Sequence, residues 1–251
     1  MSGFAELVAA TNYSFLRGAA HPSDMVAEAL ALGMDGIGIA DRNSVAGVVR
    51  AHVALRDARE QAAEAGLPDI DFRLVVGARL EFADGTPDII AYPATRAGWG
   101  RLTRLLTLGN LRADKGGCIL RLDDLIDHAV DLLLIVMGSD RAVLRRLAPA
   151  FAGSMWLGAT MPRGGADRRR LARLMRVSGT TGVPLIATND ALYATPDQRP
   201  LHDIVTCIRE KVTTAEAGRT LAANAERHLK PAAEMTRLFR DCPQAVAETT
   251  T

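Results

Sequence analysis

Short apolar runs alternate along this chain with segments of helical period, and that alternation limits the fold more than any other feature. The runs at residues 6–10, 36–40 (ending at Asp41), 73–82, 88–92, 132–137, 155–160 and 184–188 read as strands. Between them lie helical patterns. One opens on Pro22, with Ser23 and Asp24 in its first turn, and stops at Gly33. A second is entered through Asn43 or Ser44, carries Val45, Val48, Val49, Val53 and Leu55, and ends at Gly66. Further helices are expected at 97–111, 122–128, near 140–150, at 166–178 and at 196–210. Asp84-Gly85 breaks the alternation and marks a hairpin between the third and fourth strands. Six or seven strands with intervening helices point to an α/β barrel over residues 1–212, ahead of a doubly wound sheet. Residues 213–251 read as a helical extension broken at Lys230-Pro231.

Several function classes fall away at once. No Gly-x-Gly-x-x-Gly follows the first strand, and neither Gly-x-Ser-x-Gly nor a Walker A pattern occurs. Cys118, Cys207 and Cys242 are widely spaced and form no metal-ribbon or redox pair, which fits a reducing cytoplasm. No apolar run is long enough to cross a membrane. The formal net charge is only +1, so any grip on nucleic acid needs a local patch.

In α/β barrels chemistry gathers where strands end. Those positions hold Thr11-Asn12, Asp41-Arg42-Asn43, Ala78-Arg79, Tyr92-Pro93, Ser139-Asp140, Thr160 to Arg163, and Asn189-Asp190. They include three carboxylates and no histidine, whereas a multi-metal hydrolase needs several imidazole and carboxylate ligands around each ion. His21, His52, His128, His202 and His228 are too scattered to share a strand end, and His21 alone lies in a loop near one. Asp41 and Asp190 can equally be a helix-entry residue and a turn residue. Arg169, Arg173 and Arg176 fall on one helical face, which is either a solvated basic surface or a phosphate-contacting one.

Several stretches, in order, carry a resemblance. Residues 12–22 (Asn-Tyr-Ser-Phe-Leu-Arg-Gly-Ala-Ala-His-Pro), 40–52 around Asp41-Arg42-Asn43-Ser44, 76–80, 187–190, 199–209 and 224–229 resemble the PHP (polymerase and histidinol phosphatase) domain of bacterial C-family DNA polymerases, in its error-prone, damage-associated branch. The resemblance covers nearly the whole chain. It implies a distorted seven-stranded β/α barrel at the N-terminus of a much longer polymerase. It also implies where metal ligands ought to be. A first-strand His-x-His reads Val8-Ala9-Ala10, a Thr-Asp-His reads Ala40-Asp41-Arg42, a third-strand glutamate reads Arg79, and a late Asp-x-His reads Asp190-Ala191-Leu192. Only Asp41 and Asp190 remain as matching ligand positions.

The expectation is therefore a structural PHP module with a degenerate metal site, a truncated product or fragment without the polymerase core. It would have no catalytic residue and no cofactor, with a divalent metal only if the residual site functions. Its partners would be the rest of the polymerase chain, DNA, and through the whole polymerase a sliding clamp and accessory translesion proteins. Two alternatives stay open. One is a residual metal-dependent phosphoesterase or 3′–5′ exonuclease using Asp41 and Asp190. The other is a phosphate- or DNA-binding module in which Arg17, Arg42 and Arg79 converge, the guanidinium fork being suited to phosphate.

Overall fold

A computed structural model describes residues 3–251. Seven strands lie side by side in chain order: β1 (Ala5–Ala9), β2 (Gly36–Arg42), β3 (Arg73–Leu80), β4 (Ile89–Pro93), β5 (Leu132–Val136), β6 (Met155–Ala159) and β7 (Leu185–Ala187). β4 runs antiparallel to both β3 and β5, and every other pairing is parallel. The sheet curls into a nearly closed barrel. At the seam the Ala10 N–H donates to Ala191 O at 2.9 Å, and the Ala191 N–H donates to Val8 O at 3.0 Å.

Glu6 completes the seam. Its buried carboxylate accepts from the Val8 N–H at 2.9 Å, from the Asn189 N–H at 2.7 Å and from the Thr188 hydroxyl. β1 meets the segment after β7 through an isolated bridge at Ala9 and Ala191, and the Glu6 side chain supplies contacts there that a regular ladder would otherwise make.

Strand alternation sorts the side chains into two apolar layers. Val8, Ala40, Ile90, Tyr92, Ile135 and Ile186 pack inside the barrel. Ala9, Ile37, Ile39, Leu134, Val136 and Leu157 face outward into the larger core beneath the helices. Gly38 and Gly77 make room for Tyr92: a Cβ at Gly38 would come within 2.4 Å of the Tyr92 hydroxyl, and one at Gly77 within 2.5 Å of its ring. The Tyr92 hydroxyl donates to Leu7 O at 2.6 Å.

The helices are α1 (Pro22–Ala31), α2 (Val48–Glu64), α3 (Arg96–Leu111), α4 (Leu122–Asp127), α5 (Arg141–Leu147), α6 (Asp167–Thr181), α7 (Arg199–Glu210), α8 (Ala232–Leu238) and α9 (Gln244–Ala247). Pro22 opens α1 and Gly33 follows it at φ 64°, as the sequence predicts.

Three expectations need correction. α2 begins only at Val48 and has no side-chain cap. Asn43 is instead left-handed, at φ 46°, and its side-chain oxygen accepts from the Glu81 N–H at 3.0 Å, tying β2 to the end of β3. Second, the antiparallel course of β4 puts Tyr92-Pro93 at the far end of the barrel and brings Asp88 to the mouth. Third, residues 213–229 hold no α-helix, only turns and a short 3-10 segment at Gly218–Thr220.

The segment beyond residue 212 returns to the barrel. Leu229, Met235, Phe239, Ala245 and Val246 enter the same core as the barrel helices. At the N-terminal end of the strands, Glu248 accepts from the Trp156 indole N–H at 2.9 Å, and the Thr249 hydroxyl oxygen accepts from the Ala5 N–H at 3.2 Å. No described helix is long and apolar enough to cross a membrane.

Candidate functional site: the barrel mouth

The mouth is built by the loops that follow the parallel strands, with Asp88 added from the start of β4. Asp41, near the end of β2, is buried and turned into the loop that follows β1. Its carboxylate accepts from the Thr11 N–H at 2.7 Å, from the Thr11 hydroxyl at 2.9 and 3.0 Å, and from the Ser14 hydroxyl at 2.8 Å. Ser14 relays the contact onward, because its oxygen accepts from the Arg42 N–H at 3.0 Å. Gly47 closes the remaining side, where a Cβ would lie 2.6 Å from Asp41 Oδ2. Burial pushes the Asp41 carboxyl up, against the pull of the Thr11 and Ser14 hydrogen bonds. Asp41 therefore works as the anchor of the β1 loop.

The next residue faces the opening. Arg42 Nε lies 2.6 Å from Glu81 Oε2, and Arg17 reaches the same carboxylate at 3.6 Å. Arg79, on β3, is the most enclosed of the three arginines expected at the mouth. Its Nη2 lies 2.6 Å from Asp190 Oδ1 and its Nε 3.6 Å from Asp88 Oδ2.

Asp190 is held from a second side. Arg227 Nη2 lies 2.5 Å from Oδ2, and Arg227 Nε donates to the Asp190 carbonyl at 2.9 Å. Asp190 is itself left-handed, at φ 51°, a conformation aspartate accepts more readily than most residues. Burial pushes its carboxyl up, but the guanidiniums of Arg227 and Arg79 outweigh burial and leave it below the ordinary carboxylate range.

The structure thus gathers Arg17, Arg42, Arg79 and Asp190 in one place and turns Asp41 away behind Arg42. Sequence reasoning missed Glu81, Asp88 and Arg227, which complete the other ion pairs here, Arg79–Asp190 being the one that joins two expected residues. Arg227 lies in the 224–229 stretch that carries the resemblance, but nothing in its spacing tells that it folds back onto the turn after β7. The remaining ligand positions implied by the resemblance hold apolar side chains: Val8 packs inside the barrel, and Ala10 and Leu192 belong to the outer core.

The histidines do not repair the deficit. His21 shares a hydrogen bond with Asn12 Nδ2 at 3.1 Å. His202 is buried under α7 against Tyr193, and burial, with the Arg227 charge, lowers its pKa to about 4. Among the described residues no group of three or more His, Cys, Asp or Glu is placed to hold a metal ion. A divalent cation entering this mouth would meet the guanidiniums of Arg17, Arg42, Arg79 and Arg227, which repel it and cannot ligate it. The donor set does not fit a catalytic metal.

Comparison with known proteins places these observations. The PHP domain family matches residues 6–148. The chain is 51% identical over 255 residues to an error-prone DNA polymerase of Rhodopseudomonas palustris (strain BisB5), covering 98% of this chain and 22% of that protein. It is 50% identical over 256 residues to an error-prone DNA polymerase of Brucella abortus biovar 1 (strain 9-941), covering 99% of this chain and 23% of that protein. The chain thus spans less than a quarter of the length of these curated relatives. A solved structure from Bifidobacterium adolescentis ATCC 15703, described as a candidate metal-dependent phosphoesterase, shares the fold with a TM-score of 0.52 at 13% identity. That likeness covers 76% of this chain and 88% of the other.

Proposed function

The chain belongs to the PHP domain family, and from that premise we propose that it is a structural, non-catalytic PHP module of an error-prone DNA polymerase. The observation that carries this reading is the mouth itself, where Arg79, Arg227 and Asp190 form an ion-paired cluster in place of a ligand set. Nucleotide transfer would belong to the polypeptide that the relatives carry beyond the matched region. This domain would brace that polypeptide around DNA during damage-induced translesion replication in the cytoplasm. Contacts with a sliding clamp or accessory translesion proteins would be made by the whole polymerase.

A docking face supports the bracing role. α7 is inside-out for an isolated domain. His202, Thr206 and Cys207 face inward, while Leu201, Ile204 and Ile208 are about half exposed on one outer face. Arg209 donates to Leu16 O at 2.9 Å, which ties α7 to the loop that carries the exposed Phe15. Apolar patches of this kind mark interaction sites. The occupant of this face is the remainder of the polymerase, since the relatives carry more than three-quarters of their length outside the matched region.

The competing reading is a residual phosphoesterase or 3′–5′ exonuclease using Asp41 and Asp190. The shared fold favours it, whereas the donor chemistry at the mouth does not. Incubating the chain with 3′-labelled single-stranded DNA and Mn²⁺ separates the two. The structural reading expects no hydrolysis above background. Hydrolysis that disappears in both Asp41→Ala and Asp190→Ala would establish the enzyme.

A further inference from the structure

The arginines at the mouth are engaged with carboxylates, yet the chain has a second group of arginines that is not. α5 and α6 pack side by side on the barrel's outer surface. Arg141 and Arg145 on α5, and Arg169, Arg173 and Arg176 on α6, are all exposed, and none has an ion-pair partner among the described residues. Their neighbours behave differently: Arg146 pairs with Asp123, Arg170 with Asp167, and Arg168 reaches Asp241 at 4.0 Å.

Between the two helices runs an open groove of about 820 Å³ lined by Ser139, Asp140, Arg141, Arg173, Arg176 and Val177. Its only carboxylate, Asp140, is committed to capping α5 by accepting from the Ala142 N–H at 2.8 Å. Arg169, Arg173 and Arg176 follow one helical face over roughly 10 Å of axis. In a chain of net charge +1, this concentrates basicity where the overall balance conceals it.

We propose that the α5–α6 groove is a nucleic-acid backbone site that grips the phosphates of DNA. Guanidinium groups bond phosphate oxygens in bidentate fashion and hold their charge at every physiological pH. A row of them without base-reading partners gives affinity without sequence preference. The choice of DNA over other polyanions rests on the kinship with DNA polymerases. The site itself stands apart from the mouth and does not depend on whether the mouth is catalytic.

The test uses the 251-residue chain, in EDTA so that any hydrolysis is silent. Fluorescence anisotropy is read with a labelled 20-nucleotide single strand and with a 20-base-pair duplex, over 50–300 mM NaCl. Binding is expected to weaken steeply with salt. Arg173→Glu with Arg176→Glu is expected to lower affinity at least tenfold at 50 mM salt and to flatten the log–log salt slope by about two. Arg56→Ala, on the remote α2, is expected to leave both unchanged. Both substituted arginines are exposed, so an unchanged circular dichroism spectrum confirms that the double variant is folded. Whichever probe binds more tightly identifies the form of DNA gripped. Three results would overturn the proposal: no binding of either probe at 50 mM salt, binding indifferent to the double substitution, or binding to anionic lipid vesicles in place of DNA.

Discussion

At the scale of the residue, two carboxylates carry opposite perturbations, and each gives a measurable consequence. Glu6 is fully buried, and burial raises its pKa from 4.5 to about 7, against the hydrogen bonds from Thr188, Asn189 and Val8. The folded chain therefore holds a proton that the unfolded chain releases between these values. Stability is fully present below about pH 4.5, falls as pH rises toward about 7, and levels off above it. The fall attributable to Glu6 is roughly 3 kcal/mol. Urea unfolding at a series of pH values should show it, and Glu6→Gln should flatten the curve in this window. Asp190 is the reverse case, held low by two guanidiniums that outweigh its burial. Asp190→Ala leaves Arg79 and Arg227 without their shared partner and should cost about 3 kcal/mol in the same assay. Arg79→Met should cost less, because Asp190 keeps Arg227.

At the scale of the element, the α7 stripe separates stability from docking. Leu201→Lys with Ile204→Lys alters exposed positions, so each change should move the stability of the 251-residue chain by no more than about 0.5 kcal/mol. Placed in a full-length relative, the same pair should lower the polymerase's melting temperature and speed its proteolysis. Equal behaviour in both contexts would remove α7 as the docking face. Elements were the most legible level of this sequence. The Pro22 and Gly33 punctuation placed α1, and Asp84-Gly85 placed the β3–β4 hairpin. What the pattern hid was direction and return. The hairpin implied an antiparallel β4, but tracing strand ends as though all seven were parallel sent Tyr92-Pro93 to the wrong end. Asn43 looked like a helix cap because asparagine favours caps and left-handed turns alike, and only the Glu81 N–H distinguishes them.

At the scale of the whole molecule, the core does not stop at the barrel. Leu229, Met235, Phe239 and Val246 are buried in the same cluster as the barrel helices, and Arg227 reaches back to Asp190. Fully burying side chains of this size contributes about 1.5–3 kcal/mol each, together comparable to the ~5–15 kcal/mol of a typical domain. A chain ended at residue 212 should therefore lack a cooperative unfolding transition by circular dichroism. The candidate site was legible only in part for the same reason. Asp41, Arg42, Arg79 and Asp190 sit at strand ends and could be read from the pattern. Glu81, Asp88 and Arg227 arrive from the turn just after β3, the start of the antiparallel β4 and the returning segment, where tracing the ends of parallel strands does not lead. The central claim is that ion pairs have replaced metal ligands at the mouth, and it is tested most directly by metal content. After equilibration with excess Mn²⁺ or Zn²⁺ and gel filtration, elemental analysis should find no stoichiometric ion in the chain. Two or more ions per chain, lost in Asp41→Ala and Asp190→Ala, would contradict it.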